Sequence, residues 1–339
     1  MRRGLWGLLA LATLSTLAEM PDTVEVTAGG STSRPNVKLI DSHLHIWSDG
    51  TDPYPWAVEP PEQLQKAATT EQLRIKAREA GVTGALIIQP ANHKFDHSYV
   101  IEAMRSDWEF YRGVALVDGS LPPLEAVESV EKMWDQGFVG VRFNPALFPQ
   151  GIDGPTGLAV FKRCGEMQMP VGVMTFGGLL PHVAALRALV KHWRHTTLII
   201  DHCGFFRQPA TGGLLGTAAE NDEAAWQALL ALAELPSVHV KLSAFFRTSA
   251  TKPPNADLAP RLAELLRAFG AQRILWGSDF PFVLTGGNDP ASSASSACSY
   301  KDAVAQVATW GNVPGLDDEA YKAIMGGNAM RLFGFWPDP

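Results

Sequence analysis

The sequence predicts an α/β fold of (β/α)8 barrel type. Short apolar runs alternate with stretches of helical periodicity, there are eight such runs, and polar residues able to do chemistry follow several of them. The runs are Val37–Ile40, Ala85–Ile88, Gly113–Leu116, Val139–Phe143, Val171–Met174, Leu198–Ile200, Val238–Leu242 and Ile274–Trp276. Val, Ile and Leu dominate them, the composition of strands covered on both faces. Helical stretches lie between: Leu73–Ala80 behind the Thr69/Gln72 capping pattern, Pro123–Gln136, Leu180–Trp193, Asp222–Leu235 and Ala259–Phe269. An open doubly wound sheet would alternate in the same way. No GxGxxG follows the first run, which removes the dinucleotide-binding form of that alternative.

The 339 residues, 46 % of them apolar, are enough for one barrel or two smaller domains. The formal charge of −7 and the lack of a basic stripe argue against nucleic acid as a partner. Cys164, Cys203 and Cys298 are widely spaced and odd in number, so neither a disulfide framework nor a CxxC metal site is expected. Residues 1–18 read as a signal or targeting segment: Arg2 and Arg3, an apolar run from Gly4 to Leu17, then Ala18. A secretory or plastid route follows from that reading, and the run is too short to span a bilayer comfortably. Residues 19–36 read as a linker and 37–335 as the barrel. Two segments interrupt the alternation after the sixth and eighth runs, Arg207–Glu220 and Leu284–Ser299, where barrel enzymes carry substrate loops.

The residues at the run ends suggest a centre. In DSHLHIW (Asp41–Trp47), His43 and His45 alternate along an extended segment and so face the same way. His202 follows the sixth run in IDHCG, and Asp279 the eighth in WGSDFP. Three imidazoles and a carboxylate suit Zn²⁺ or a similar divalent ion. Arg142 offers a bidentate fork for a carboxylate, and Lys241 could polarise a carbonyl or pair with Asp279. His93 and His97, four apart after the second run, are read as substrate contacts, and Trp47 as a wall of the pocket.

In this order and spacing, DSHLHIW, IDHCG and WGSDFP resemble the amidohydrolase superfamily, and more narrowly the amidohydrolase-related family of lactonases and decarboxylases. VRFN (Val141–Asn144) and VKLS (Val240–Ser243) resemble that family's fourth and seventh strand motifs, and NHKFDHS (Asn92–Ser98) a plant and algal branch. The likeness runs from about Lys38 to Phe333. It implies a barrel of the metal-dependent-hydrolase type, with His43, His45 and His202 on the metal side and Asp279 as acid and base. It implies that Arg142 holds a substrate acid group. Asn144 and Ser243 are carried over as substrate-binding positions. Where many superfamily members place a histidine on the fifth strand and a bridging Lys or Glu on the fourth, this chain has Met174 and Arg142, which argues against a two-metal centre.

The function expected is hydrolysis of a lactone on a small carboxylated molecule, with Asp279, Lys241 and Arg142 as catalytic residues. A non-hydrolytic decarboxylase on the same barrel is the alternative, and a lapsed barrel used only for binding is a third reading. Some family lactonases act without metal, so an ion is expected but not required.

Overall fold

The computed structural model describes residues 37–51, 53–207, 217–287, 297–334 and 336, with the side chains of 217–221 left aside. The expected leader and linker lie outside these residues, as do most of the two interrupting segments. Among the described residues no helix is long and apolar enough to cross a membrane.

The eight expected strands are all present: β1 Leu39–Leu44, β2 Val82–Ile88, β3 Tyr111–Leu116, β4 Gly140–Phe143, β5 Val171–Val173, β6 Leu198–Ile200, β7 Val238–Ser243 and β8 Ile274–Gly277. They run in sequence order and each pairs in parallel with the next. The principal helices are α1 Thr70–Ala80, α2 Ser98–Ser106, α3 Pro123–Asp135, α4 Pro155–Glu166, α5 Val183–His192, α6 Thr217–Ala231, α7 Ala259–Phe269 and α8 Tyr300–Thr309. Local chemistry sets their ends. Thr69 accepts the Gln72 N–H at 3.3 Å to start α1, which stops at Gly81 with φ 73°. Pro123 opens α3, where its missing N–H is harmless.

The open-sheet alternative fails at the seam between β1 and β8. Leu44 bridges Phe280 in parallel. The Asp279 N–H donates to His43 O at 2.8 Å, and the His45 N–H donates to Phe280 O at 2.7 Å. Asp41 reinforces the junction: Oδ1 accepts the main-chain N–H groups of His43 (3.1 Å) and Ser278 (3.0 Å), while Oδ2 accepts the hydroxyls of Ser278 (2.5 Å) and Tyr300 (2.8 Å). Four donors on one buried carboxylate tie β1, β8 and α8 together.

Among the described residues, two hydrophobic clusters form the core. The larger packs the helices onto the outside of the strands. The smaller joins Ile40, Leu86, Ile88, Val114, Ile199 and Leu275 to Phe333 and Trp336. Trp336 donates its Nε1–H to Phe110 O at 2.9 Å and also accepts from Lys38 Nζ at its carbonyl, so the last described residue plugs the strand bundle. Gly84 makes room for it, since a Cβ there would stand 2.6 Å from both Ile40 and the Trp336 ring.

Candidate active site

Strand ends assemble the site. His43 lies in β1, and His45 lies just beyond it. His202 opens a left-handed turn after β6, in which His202, Cys203, Gly204 and Phe205 have φ of 51°, 50°, 70° and 58°. Non-glycine residues resist that conformation by about 1 kcal/mol each, so the turn must be held. The Gly204 N–H donates to Asp201 O at 2.9 Å and Cys203 Sγ lies 3.6 Å from Lys241 O. Asp279, after β8, is also left-handed, with φ 59°. Backbone strain is thus concentrated where the chain presents polar side chains.

The three imidazoles converge on one carboxylate oxygen. Asp279 Oδ1 lies 3.4 Å from His45 Nε2, 3.9 Å from His43 Nε2 and 4.0 Å from His202 Nε2. The other oxygen, Oδ2, faces Arg247 Nε at 3.4 Å. The Arg247 guanidinium sits over the Phe246 and Phe282 rings, 4.9 and 5.5 Å from their centroids. Burial would raise the Asp279 carboxyl, but His202, His45 and Arg247 hold it far below the usual carboxylate range. Burial takes His202 down to about 4, and burial together with Lys241 takes His43 well below an ordinary imidazole. Both rings are neutral near pH 7, with an ionised carboxylate between them.

The Nδ1 sides of the rings are held too. His45 Nδ1 donates to Ile88 O at 2.8 Å, which turns Nε2 toward Asp279 Oδ1. His202 Nδ1 meets Ser243 Oγ at 2.8 Å. His43 Nδ1 lies 3.2 Å from Lys241 Nζ and 3.4 Å from Asp201 Oδ1.

The family model Amidohydro_2, described as amidohydrolase, matches residues 40–335. The chain belongs to this amidohydrolase family. A 4-sulfomuconolactone hydrolase of Rhizobium radiobacter is 28 % identical over 248 residues, 71 % of this chain and 75 % of that protein. An L-fucono-1,5-lactonase of Burkholderia ambifaria is 24 % identical over 247 residues, 71 % of this chain and 80 % of its own. A zinc-bound amidohydrolase of Burkholderia multivorans has a TM-score of 0.63 at 19 % identity, covering 87 % of this chain and 99 % of that one. This amidohydrolase is accordingly a hydrolase enzyme.

The donor set of this amidohydrolase fits a divalent ion. His43, His202 and Asp279 each offer an atom within 4.8 Å of the others, all three side chains buried. Neighbouring ligands of a tetrahedral zinc stand about 3.4 Å apart, given bonds near 2.1 Å. Among the described residues His43 Nε2 is a buried nitrogen without a hydrogen bond, as a ligand-facing atom should be.

The other expected residues of the amidohydrolase have partners within the chain. Lys241, expected at a carbonyl or at Asp279, instead stands beside His43 Nδ1 and 3.5 Å from Asp201 Oδ1. Arg142, expected to grip a substrate acid, donates its Nε–H to Asp201 Oδ2 at 3.0 Å and is buried. His93 and His97, expected to touch substrate, serve the backbone: His93 Nε2 accepts from Ser48 N at 3.4 Å, and His97 Nε2 accepts from Leu116 N at 3.0 Å. Trp47 is core, because β1 ends at Leu44 and the indole turns to donate to Leu64 O at 3.2 Å. Asn144 caps the turn Pro145–Leu147, accepting the Ala146 N–H at 3.1 Å. Ser243 does reach the centre through His202.

Sequence reasoning missed Asp201, Arg247 and Asp41. Asp201 and Asp41 each sit next to or near a motif histidine, and a buried carboxylate at a strand end was signal enough to ask for its partner.

Proposed function

We propose that this amidohydrolase hydrolyses a lactone of a small carboxylated molecule. The observation that carries the reading is the convergence of His43, His45 and His202 on Asp279 Oδ1, three imidazole nitrogens around one carboxylate oxygen. The relatives that act on lactones support it. His43, His202 and Asp279, with His45 alongside, would hold the ion, zinc being the first choice. When bound it supplies Lewis-acid polarisation and a lowered water pKa.

Asp279 takes one proton from the attacking water as the new C–O bond forms at the carbonyl carbon. Its second oxygen faces Arg247, so Oδ1, the oxygen turned toward the imidazoles, is the atom placed to receive that proton. When the ring C–O bond breaks, the same proton passes to the departing alkoxide, and the products are a hydroxy acid and unchanged Asp279. The low affinity of Asp279 for protons keeps it ionised before each turnover. The chain's net charge of −7 would repel an acidic substrate, so attraction must be local, and Arg247 is a cation paired with the Asp279 carboxylate.

The test is a panel of pyrone, muconolactone-type and sugar lactones, followed by proton release, with CO2 detection on unsaturated acids run beside it. Acid release from a carboxylated lactone supports the proposal. CO2 release without lactone opening would replace it with the decarboxylase.

A further inference from the structure

A run of rings leads out of the site at the ends of β5 and β6. Phe205 follows His202 in the left-handed turn, and the two rings meet edge to face, centroids 4.9 Å apart at 88°. Phe176, just past β5, meets Phe205 in the same way at 5.5 Å and 79°. His202 in turn lies 4.3 Å from His43. Four rings thus join the first histidine of the centre to a phenylalanine that is 60 % exposed. Exposed apolar side chains scattered singly are ordinary; this one is continuous with the candidate active site.

Local structure presents it there. Pairing with β4 continues past β5, the Met174 N–H donating to Phe143 O at 2.9 Å. Met174 therefore shares the inward side with Gly172, where a Cβ would stand 3.8 Å from Asp201 Oδ1. The chain then turns, the Gly178 N–H donating to Thr175 O at 2.9 Å, with Phe176 at the corner. Gly177 and Gly178, at φ 92° and 117°, allow that turn. On the other flank Phe282 meets His45 at 5.7 Å and 73°, with the Arg247 guanidinium 5.5 Å from its centroid. His202 and His45, both within 4.0 Å of Asp279 Oδ1, each carry a phenyl ring.

We propose that Phe205 and Phe176 determine specificity: they are an aromatic wall that takes a flat, unsaturated lactone ring and disfavours a polyhydroxylated one. The proposal rests on the lactonase reading above and deepens it by naming the class of ring. A flat ring can lie against phenyl groups edge to face or offset, gaining dispersion and quadrupole attraction while covering apolar surface. Hydroxyls of a saturated sugar ring laid there would give up water and meet side chains that carry no hydrogen-bond donor and no strong acceptor, a loss each left unrepaid.

The experiment measures binding without turnover. Benzene-1,3-dicarboxylate and cis-cyclohexane-1,3-dicarboxylate, equal in charge and differing in flatness, are titrated calorimetrically into the parent, Phe205→Leu and Phe176→Ala. The expected result is a parent that binds the flat acid about tenfold more tightly, equivalent to about 1.4 kcal/mol. Phe205→Leu, which keeps an apolar body without a ring, should reduce that preference to within about threefold, and Phe176→Ala should reduce it in the same direction. A parent that does not prefer the flat acid overturns the proposal, as does a preference unchanged in both variants. If Phe205→Leu does not fold, Phe176→Ala, at an exposed position, decides alone. Rates on pyrone and sugar lactones separate this proposal from the reading beneath it. A flat-ring preference that both variants lose, in a protein that opens no lactone, removes the lactonase and leaves the wall; lactone opening with no such preference removes the wall and leaves the lactonase.

Discussion

The main-chain N–H of Asp279 donates to the carbonyl oxygen of His43 at 2.8 Å, across the junction of β1 and β8. Asp279, the proposed carrier of the proton, and the first histidine of the centre are thus held in register by the bond that closes the barrel. Two residues on, His45 N–H returns the contact to Phe280 O at 2.7 Å. Fold closure and site geometry are one set of hydrogen bonds here, and perturbing the seam should be read in both stability and rate.

Gly277 permits that closeness. A Cβ at this position would stand 2.6 Å from His43 Cβ and 2.8 Å from His43 N. Backbone cannot yield as a flexible side chain can, so Gly277→Ala must push β1 from β8. The expected outcome is a loss of about 1–3 kcal/mol in stability and at least roughly 100-fold in kcat/KM, because displacement of about 1 Å costs that much. Denaturant melts and lactone kinetics on the same preparation check both.

Tyr300→Phe removes one of the four donors on Asp41 and touches no reacting atom. The expected cost is about 1.5–3 kcal/mol, the range for a hydrogen bond to a charged group. The kcat should change less than about threefold, a drop in kcat near 1.4 kcal/mol being already tenfold. Urea unfolding and kinetics measure the split. The opposite pattern, normal stability with lost activity, would mean that Tyr300 belongs to the site.

Burial lowers His97 and His239 from 6.5 to about 4. The unfolded chain binds protons on these rings near pH 6.5, while the folded chain waits until about 4. Stability is therefore fully present above pH 6.5, falls as pH drops between those values, and loses nothing further from these two groups below about 4. Each ring contributes up to about 3 kcal/mol by 1.36 kcal/mol per unit. Melting temperature against pH checks this, and His239→Gln, which does not titrate, should flatten the slope.

Arg247→Met leaves Asp279 Oδ2 without its guanidinium and keeps the apolar stem against Phe246 and Phe282. The carboxylate is then free to rotate, and kcat should fall by about 10- to 100-fold, within the span attributed to a positioned acid–base group. Arg247→Lys should recover part of the loss, as a charge without the fork. Initial rates at saturating lactone compare the three proteins.

Much of this architecture was legible because each strand is a local apolar run and each motif histidine or aspartate follows one. DSHLHIW, IDHCG and WGSDFP needed no long-range information to be placed at strand ends. Partnerships were not legible. Asp41 and Ser278 are 237 positions apart, and Arg142 and Asp201 are 59 apart. Composition does not say that Arg142 faces a carboxylate of its own chain. The partners of His93 and His97 were not legible either: the two rings, four positions apart, accept from separate backbone donors, Ser48 N and Leu116 N. Left-handed residues at His202 and Asp279 leave no mark in the sequence either, since neither is glycine.

The central claim is that Asp279 moves the proton in lactone opening, with His43, His45 and His202 around it. Its most direct measurement is the hydrolysis rate of whichever carboxylated lactone the panel finds active, for the parent and for Asp279→Asn. The amide keeps the shape and the Arg247 neighbour but cannot accept the water's proton. The account predicts a fall in kcat of about 10²- to 10⁴-fold with the fold intact by circular dichroism. Turnover by Asp279→Asn within a factor of about three of the parent, less than half of a tenfold step in barrier terms, would contradict it.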